Sequence, residues 1–227
     1  FGKEEYRITT GGTVGATLVC ASDNLVASGL YDNILCLGFE KLQEGNTTGG
    51  ITNMADPLWF RNLQTGALTA TTATEMIQEF GKERVLKAAM KYRIMMDKHA
   101  MLNERAHRRL GLEYDQMETL METSPQLVGE LRLIHMCSQS DGACAMILTS
   151  EDRVKKGTAK PPVWIRDHET SHREETMSNL YGAKKPKSTH RDCAERLFSR
   201  NGITNPLEYF DVFEMYDPSA YWGLDWL

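Results

Sequence analysis

Residues 13–39 constrain the architecture of this chain more than any other stretch. Between Thr13 and Ser28, the apolar side chains of Val14, Leu18, Val19, Ala21, Leu25 and Val26 cover more than one helical face, which predicts a helix buried nearly all round. A short connection leads to residues 33–39, NILCLGF, a continuous apolar run of strand length that suits a sheet covered on both faces. Helix, tight connection and covered strand together predict an α/β protein. The helix is entered through Thr9-Thr10-Gly11-Gly12, which reads first as a phosphate-cradling glycine turn.

Length and charge narrow the class. A chain of 227 residues, 41% of them apolar, can supply a sizeable core. Its 26 basic and 31 acidic side chains leave a net charge of -5 with no sustained basic stripe, so nucleic acid is not an expected partner. No apolar run approaches the ~20 residues that cross a bilayer, and FGKEEYR lacks the layout of a signal peptide, so the expected location is the cytoplasm, away from membranes. Cys20, Cys36, Cys137, Cys144 and Cys193 form an odd set without CxxC spacing and read as reduced thiols.

Further along, residues 45–70 form a polar, glycine-rich excursion with one aromatic patch, Trp59-Phe60. Helical periodicity returns at residues 71–80 and 82–106, with Val85, Ala88, Ala89, Tyr92, Met95 and Met96 on one side. Residues 130–150 hold two apolar runs around the turn 138–142, while 160–167 (KPPVWIRD) and 209–215 (YFDVFEM) have strand character. Between those last two, residues 189–201 predict an amphipathic helix ended by Gly202.

Two histidine patterns are weighed on their surroundings. His168-Glu-Thr-Ser-His172 has HExxH spacing, but a zinc helix needs an apolar back face and DHETSHREE is polar all round, so a solvated loop is expected and no metal site. His135 lies in an apolar run and reads as a satisfied core histidine. Met90, Met95, Met96, Met101, Met117 and Met121 read as irregular packing.

The order of these pieces, above all the SxSDGAxAxxLxSE pattern at residues 138–151 and the helix–strand unit ending in GFEK at 38–41, resembles the thiolase superfamily, particularly its sterol-carrier-protein-type branch. The resemblance spans essentially the whole chain and implies a layered α-β-α-β-α fold of two similar βαβαβαββ halves, both incomplete here, with an inserted helical loop domain. It divides the chain into 1–48 (end of the first half), 49–130 (insertion), 131–159 (last strands of the first half) and 160–227 (start of the second half). Substrates of that superfamily are acyl-CoA thioesters, so coenzyme A is expected as part of the substrate and no cofactor on the chain itself. Arg105, Arg108, Lys184 and Lys185 are weak candidates for CoA phosphates, with a solvated face as the plain alternative.

In thiolases the nucleophilic cysteine stands at the N-terminus of the central helix, where the positive helix end favours thiolate. Alignment of that helix places the nucleophile position on Gly12, and Cys20 lies two turns inside. The thiolase-like steroid side-chain aldolases depart in the same way, with a Tyr-Asp pair where ordinary thiolases have His-Asp; here that pair is Tyr216-Asp217. The resemblance thus implies retro-aldol cleavage of a β-hydroxyacyl-CoA, with Tyr216 as base if its surroundings lower its pKa and with backbone N–H groups at Gly11, Gly12 and Thr13 as the oxyanion site. By its residues alone, Tyr216 is a half-buried tyrosine at a strand end. Homodimerisation and a small zinc-ribbon/OB-fold partner subunit are also implied. A cysteine-dependent acyltransferase and a non-catalytic scaffold subunit are the alternatives.

Overall fold

The computed structural model describes residues 3–10, 12–45, 65–158, 160–171 and 189–227, with the backbone alone at 65–68. Its helices are α1 (Val14–Ala27), α2 (Thr65–Phe80), α3 (Lys82–Met101), α4 (Tyr114–Thr123), α5 (Glu151–Val154), α6 (Thr189–Arg200), α7 (Pro206–Tyr209) and α8 (Ala220–Trp226). The strands are β1 (Asn33–Lys41), β2 (Gln126–Val128), β3 (Leu131–Arg132) and β4 (Asp141–Thr149). Residues 1–149 with 216–225 and 227 make one compact unit, and residues 150–215 with 226 make another.

In the first unit α1 starts behind Gly12-Thr13 and stops at Gly29, whose φ of 76° is left-handed backbone that glycine adopts without a Cβ clash. The chain then turns into β1, which pairs antiparallel with β4 over its whole length, Cys36 opposite Met146. Both ends of the ribbon are tied by side chains. Thr149 Oγ1 donates to Asn33 Oδ1 (2.7 Å), and the Gln43 N–H donates to Asp141 Oδ1 (2.9 Å). Cys36 is buried on the α1 side, its thiol donating to Ser22 Oγ at 3.0 Å.

Among the described residues the ribbon is not covered on both faces. Leu35 and Phe39 are 67% and 71% exposed, as is Ile147 (74%) opposite Leu35. Pleat alternation explains this: α1 takes the face of Ile34 and Cys36, and among the described residues no element lies over the face of Leu35, Leu37 and Phe39. Nor is α1 buried nearly all round, since Ser22 is its one fully buried residue. The expectation of a doubly covered strand and an all-round buried helix is therefore corrected to a helix on one side of an antiparallel pair. The α/β character holds, and the sheets among the described residues are this pair and the short β2–β3 pair.

A buried apolar core lies in the helical stretch. Met90, Leu112, Met117 and Ile134 form a buried cluster against Ile94, Leu120 and Met121, and each side chain of this size removed from water contributes about 1.5–3 kcal/mol. Met90 and Met117 are thus core, whereas Met95 and Met101 are exposed. α2 begins at Thr65, earlier than residue 71, and α3 ends at Met101, before residue 106. Asp97, buried at the end of α3, closes the following turn by accepting from the N–H groups of Leu110 (2.9 Å) and Leu112 (2.7 Å).

The second unit differs more from expectation. Residues 160–167 form no strand, and Val163 and Trp164 are exposed; Pro161-Pro162 remove two N–H donors at the point where a ladder would begin. Residues 209–215 form none either. There Asn205 caps the short helix α7, and the rings of Phe198, Phe210 and Phe213 run in a chain at 5.9 and 6.0 Å. The helix at 189–200 does form, and it ends in a Schellman motif: Gly202 has φ 66°, its N–H meets the Ser199 carbonyl (3.1 Å), and the Ile203 N–H meets that of Phe198 (2.8 Å). His168 and Glu169 lie on irregular chain, with Glu169 bound to Arg200 Nη1 at 2.7 Å, so the HExxH spacing is not set on a helix; His172 is outside the described residues. Among the described residues no cluster of metal-ligating side chains occurs, and no helix is long and apolar enough to cross a membrane.

Candidate active site

Residues 216–219 are held against the segment that leads into β4. Met136 and Ser219 form an isolated antiparallel bridge, and the Cys137 N–H donates to the Pro218 carbonyl at 2.9 Å. This clip carries the side chains of Tyr216 and Asp217 into the first unit. Tyr216 meets the start of α1: a Cβ at Gly12 would stand 2.5 Å from Tyr216 Oη and 3.3 Å from its Cζ. Only glycine leaves room for that hydroxyl.

The helix end it approaches has no side-chain cap. Thr13 makes no side-chain capping bond, the first turn holds no acidic residue, and the Thr13 carbonyl accepts from the Thr17 N–H and Thr17 Oγ1, each at 3.0 Å. The first-turn N–H groups carry the positive end of the helix dipole with no carboxylate to offset it.

Asp217 faces the other way, into the helical stretch. Tyr92 Oη donates to Asp217 Oδ2 at 2.9 Å, and the Tyr92 ring is buried against Gly223 of α8. The charges of Arg93 and Arg108 also reach Asp217, while Arg108 Nη2 donates to the Met136 carbonyl at 2.9 Å. Arg93 is 9% exposed, and among the described residues its Nε has no hydrogen-bond partner.

Burial dominates the proton affinities here. It raises the Asp217 carboxyl above its ordinary value, against the hydrogen bond from Tyr92 and the two guanidinium charges. It likewise raises the Cys137 thiol, and the Arg108 charge that opposes this is the smaller effect. Tyr216 is raised too, by burial and then by Cys137. A lowered pKa was the condition for Tyr216 to act as base, and the shift here runs the other way, toward the neutral phenol. Cys20 is half-buried and its thiol is raised by burial and by Asp23, the opposite of the shift that activates a thiol.

Of the residues singled out in the sequence, the fold sets Gly12 against Tyr216, with Thr13 at the helix start, and places Arg108 near Asp217. Arg105 stands exposed in the turn after α3, its N–H on Asn103 Oδ1 at 3.0 Å. Gly11, Lys184 and Lys185 lie outside the described residues. Sequence reasoning missed Tyr92, Arg93 and Cys137 as neighbours of the pair. Tyr92 and Asp217 are 125 positions apart, and no local pattern marks such a contact. His135 is core as expected: 1% exposed, Nδ1 accepting from the Arg132 N–H at 3.0 Å, its ring edge-on to Tyr221 at 4.9 Å, and its pKa lowered to about 4 by burial and by the Arg132 and Arg93 charges.

No protein-family model matches the chain. It is 26% identical over 219 residues to sterol carrier protein 2 of Gallus gallus, covering 89% of this chain and 38% of that protein. The sterol carrier protein 2 of Bos taurus is 25% identical over 232 residues, 93% of this chain and 41% of the relative. The chain therefore spans about two fifths of the length of these curated relatives. Among solved structures, a chain of the Ltp2-ChsH2(DUF35) aldolase superposes with a TM-score of 0.65 at 21% sequence identity, over 88% of this chain and 52% of that one. The chain is similar to sterol carrier protein 2 in sequence and shares its fold with that aldolase chain.

Proposed function

We propose that this chain is a subunit of a thiolase-fold enzyme that makes or breaks a carbon–carbon bond beside an acyl-CoA thioester, by cysteine-independent (retro-)aldol chemistry on a β-hydroxyacyl-CoA. The observation that carries the reading is the Tyr216 hydroxyl lying against Gly12 at the start of α1, the position where a thiolase would hold its nucleophilic sulfur. The aldolase likeness in fold supports a lyase reading, and the sterol carrier protein 2 likeness in sequence fits a lipid-like substrate.

In the cleavage direction, the β-hydroxyl proton passes to the Asp217 carboxylate, whose raised pKa makes it a better base than an exposed aspartate. The bond between the α and β carbons breaks, a carbonyl product leaves, and the thioester enolate takes up at its α carbon the proton that Asp217 accepted, which restores the carboxylate. Tyr216, a neutral phenol, donates to the enolate oxygen together with the backbone N–H groups at Gly12–Thr13, where such donors act on developing charge. Arg105 and Arg108, with Lys184 and Lys185, remain the candidates for the CoA phosphates. The proposed assembly is a dimer of such subunits with a small zinc-ribbon/OB-fold partner, consistent with the two components named for the aldolase.

The test is Tyr216→Phe, assayed by release of a shortened acyl-CoA from a β-hydroxyacyl-CoA. Loss of one oxyanion donor lowers kcat by roughly 10²- to 10³-fold, with an unchanged circular-dichroism melt. Full activity in the variant removes the reading. Acyl transfer to free CoA that iodoacetamide abolishes would instead favour the acyltransferase, and no turnover in the wild-type assembly would favour the scaffold subunit.

A further inference from the structure

We propose that Tyr92 is the positioning residue of the Tyr216–Asp217 pair: its hydroxyl, carried on α3, fixes the orientation of the Asp217 carboxylate. The inference rests on the reading of Tyr216–Asp217 as the reacting pair and adds a residue from a distant part of the chain.

The geometry supports it from both ends. On one end Asp217 is anchored through its backbone, because Pro218 and Ser219 are paired with Cys137 and Met136. On the other end Tyr92 has no freedom to swing. It is 3% exposed, and its ring lies so close to Gly223 that a Cβ there would overlap it. A 2.9 Å hydrogen bond between two restrained groups leaves the carboxylate one orientation, with Oδ2 occupied by the phenol. The groups that face Asp217 are Tyr92 and Arg93 from α3, Arg108 from the turn after it, and Cys137 from the segment before β4, beside its chain neighbour Tyr216.

The choice of a phenol suits a carboxylate that must accept a proton. A bidentate guanidinium would hold Asp217 equally well, but its full charge would depress the carboxyl and weaken it as a base. The Tyr92 phenol is neutral, and burial together with the Asp217 charge pushes its own pKa upward, so it stays a donor across the working pH range. It orients the carboxylate and favours its ionised form while burial keeps the basicity high.

Tyr92→Phe tests this, since it keeps the ring against Gly223 and removes the donor alone. The Asp217 carboxyl is followed by ¹³C NMR in protein labelled at aspartate, with Asp217→Asn identifying its resonance. The proposal expects the Asp217 midpoint in Tyr92→Phe to rise by about one pH unit, the acid limb of kcat/KM to move the same way, and kcat to fall about tenfold. KM for the acyl-CoA stays within twofold, because Tyr92 is not assigned to bind it. An unmoved Asp217 titration overturns the role of Tyr92 whatever the activity does. Full activity in Asp217→Asn instead removes the role of Asp217 as base, and that result is separate from the titration.

Discussion

Gly12 and Tyr216 share one space: the volume that a Cβ at position 12 would occupy is taken by the tyrosine hydroxyl, 2.5 Å from it. Gly12→Ala therefore displaces Tyr216. The atom that must yield is the far end of a half-exposed side chain, so the protein stays folded and its melting temperature changes little. The position of the phenol does change, and a displacement of this order costs roughly 10²-fold in kcat. In a Tyr216→Phe background the same alanine adds little further loss. Additive losses in the double variant, measured by steady-state kinetics, would refute a shared space.

Gly223 presents the opposite case. A Cβ there meets the ring of buried Tyr92, which is held in place and is not the loose end of a chain. Gly223→Ala is expected to destabilise the protein by about 1–3 kcal/mol through overpacking. Urea denaturation monitored by circular dichroism reads this directly, and Tyr92→Leu in the same background recovers part of the loss.

Asp97 closes the turn after α3 with both oxygens on backbone N–H groups, those of Leu110 and Leu112. Asp97→Ala leaves two donors without partners beside the Met90–Leu112–Met117 cluster, at a cost of about 2–4 kcal/mol. Asp97→Asn retains one acceptor oxygen and loses about half as much. Equal midpoints in urea for wild type and Asp97→Ala would contradict the capping role.

His135 ties stability to pH. Its folded pKa is lowered to about 4, against an ordinary value of about 6.5. Below pH 6.5 the unfolded chain takes up a proton that the folded chain refuses, so the stabilising contribution is present at neutral pH and is lost as pH falls from about 6.5 toward 4. The size of that loss is on the order of 2–3 kcal/mol at the lower end. His135→Gln should flatten the dependence of the urea midpoint between pH 6.5 and 4.5, whereas a variant as steep as wild type would assign the effect elsewhere.

The legible parts of this molecule were local. The apolar spacing of residues 13–28 and 82–106 marked helices that form, the second ending at Met101, and Gly202 marked a helix end whose left-handed turn is present. The apolar runs at 160–167 and 209–215 misled because they record side chains of the kind that become covered, not the backbone pairing that would make a strand. With Pro161-Pro162 in one and the cap at Asn205 before the other, the chain takes irregular and helical routes. Leu35 and Phe39 misled for a related reason: their character signals a face suited to cover, and the described residues do not supply it.

The candidate site divides along the same line. The residues alone marked a glycine-led helix start at Gly12, and only the resemblance to the thiolase superfamily made Tyr216-Asp217 a pair worth weighing. That the tyrosine hydroxyl fills the glycine's missing side chain, that the Tyr216 phenol is pushed upward, and that Tyr92 grips Asp217 across 125 residues are products of packing alone. Distance and desolvation exist only once the chain has closed on itself, and a linear pattern carries neither.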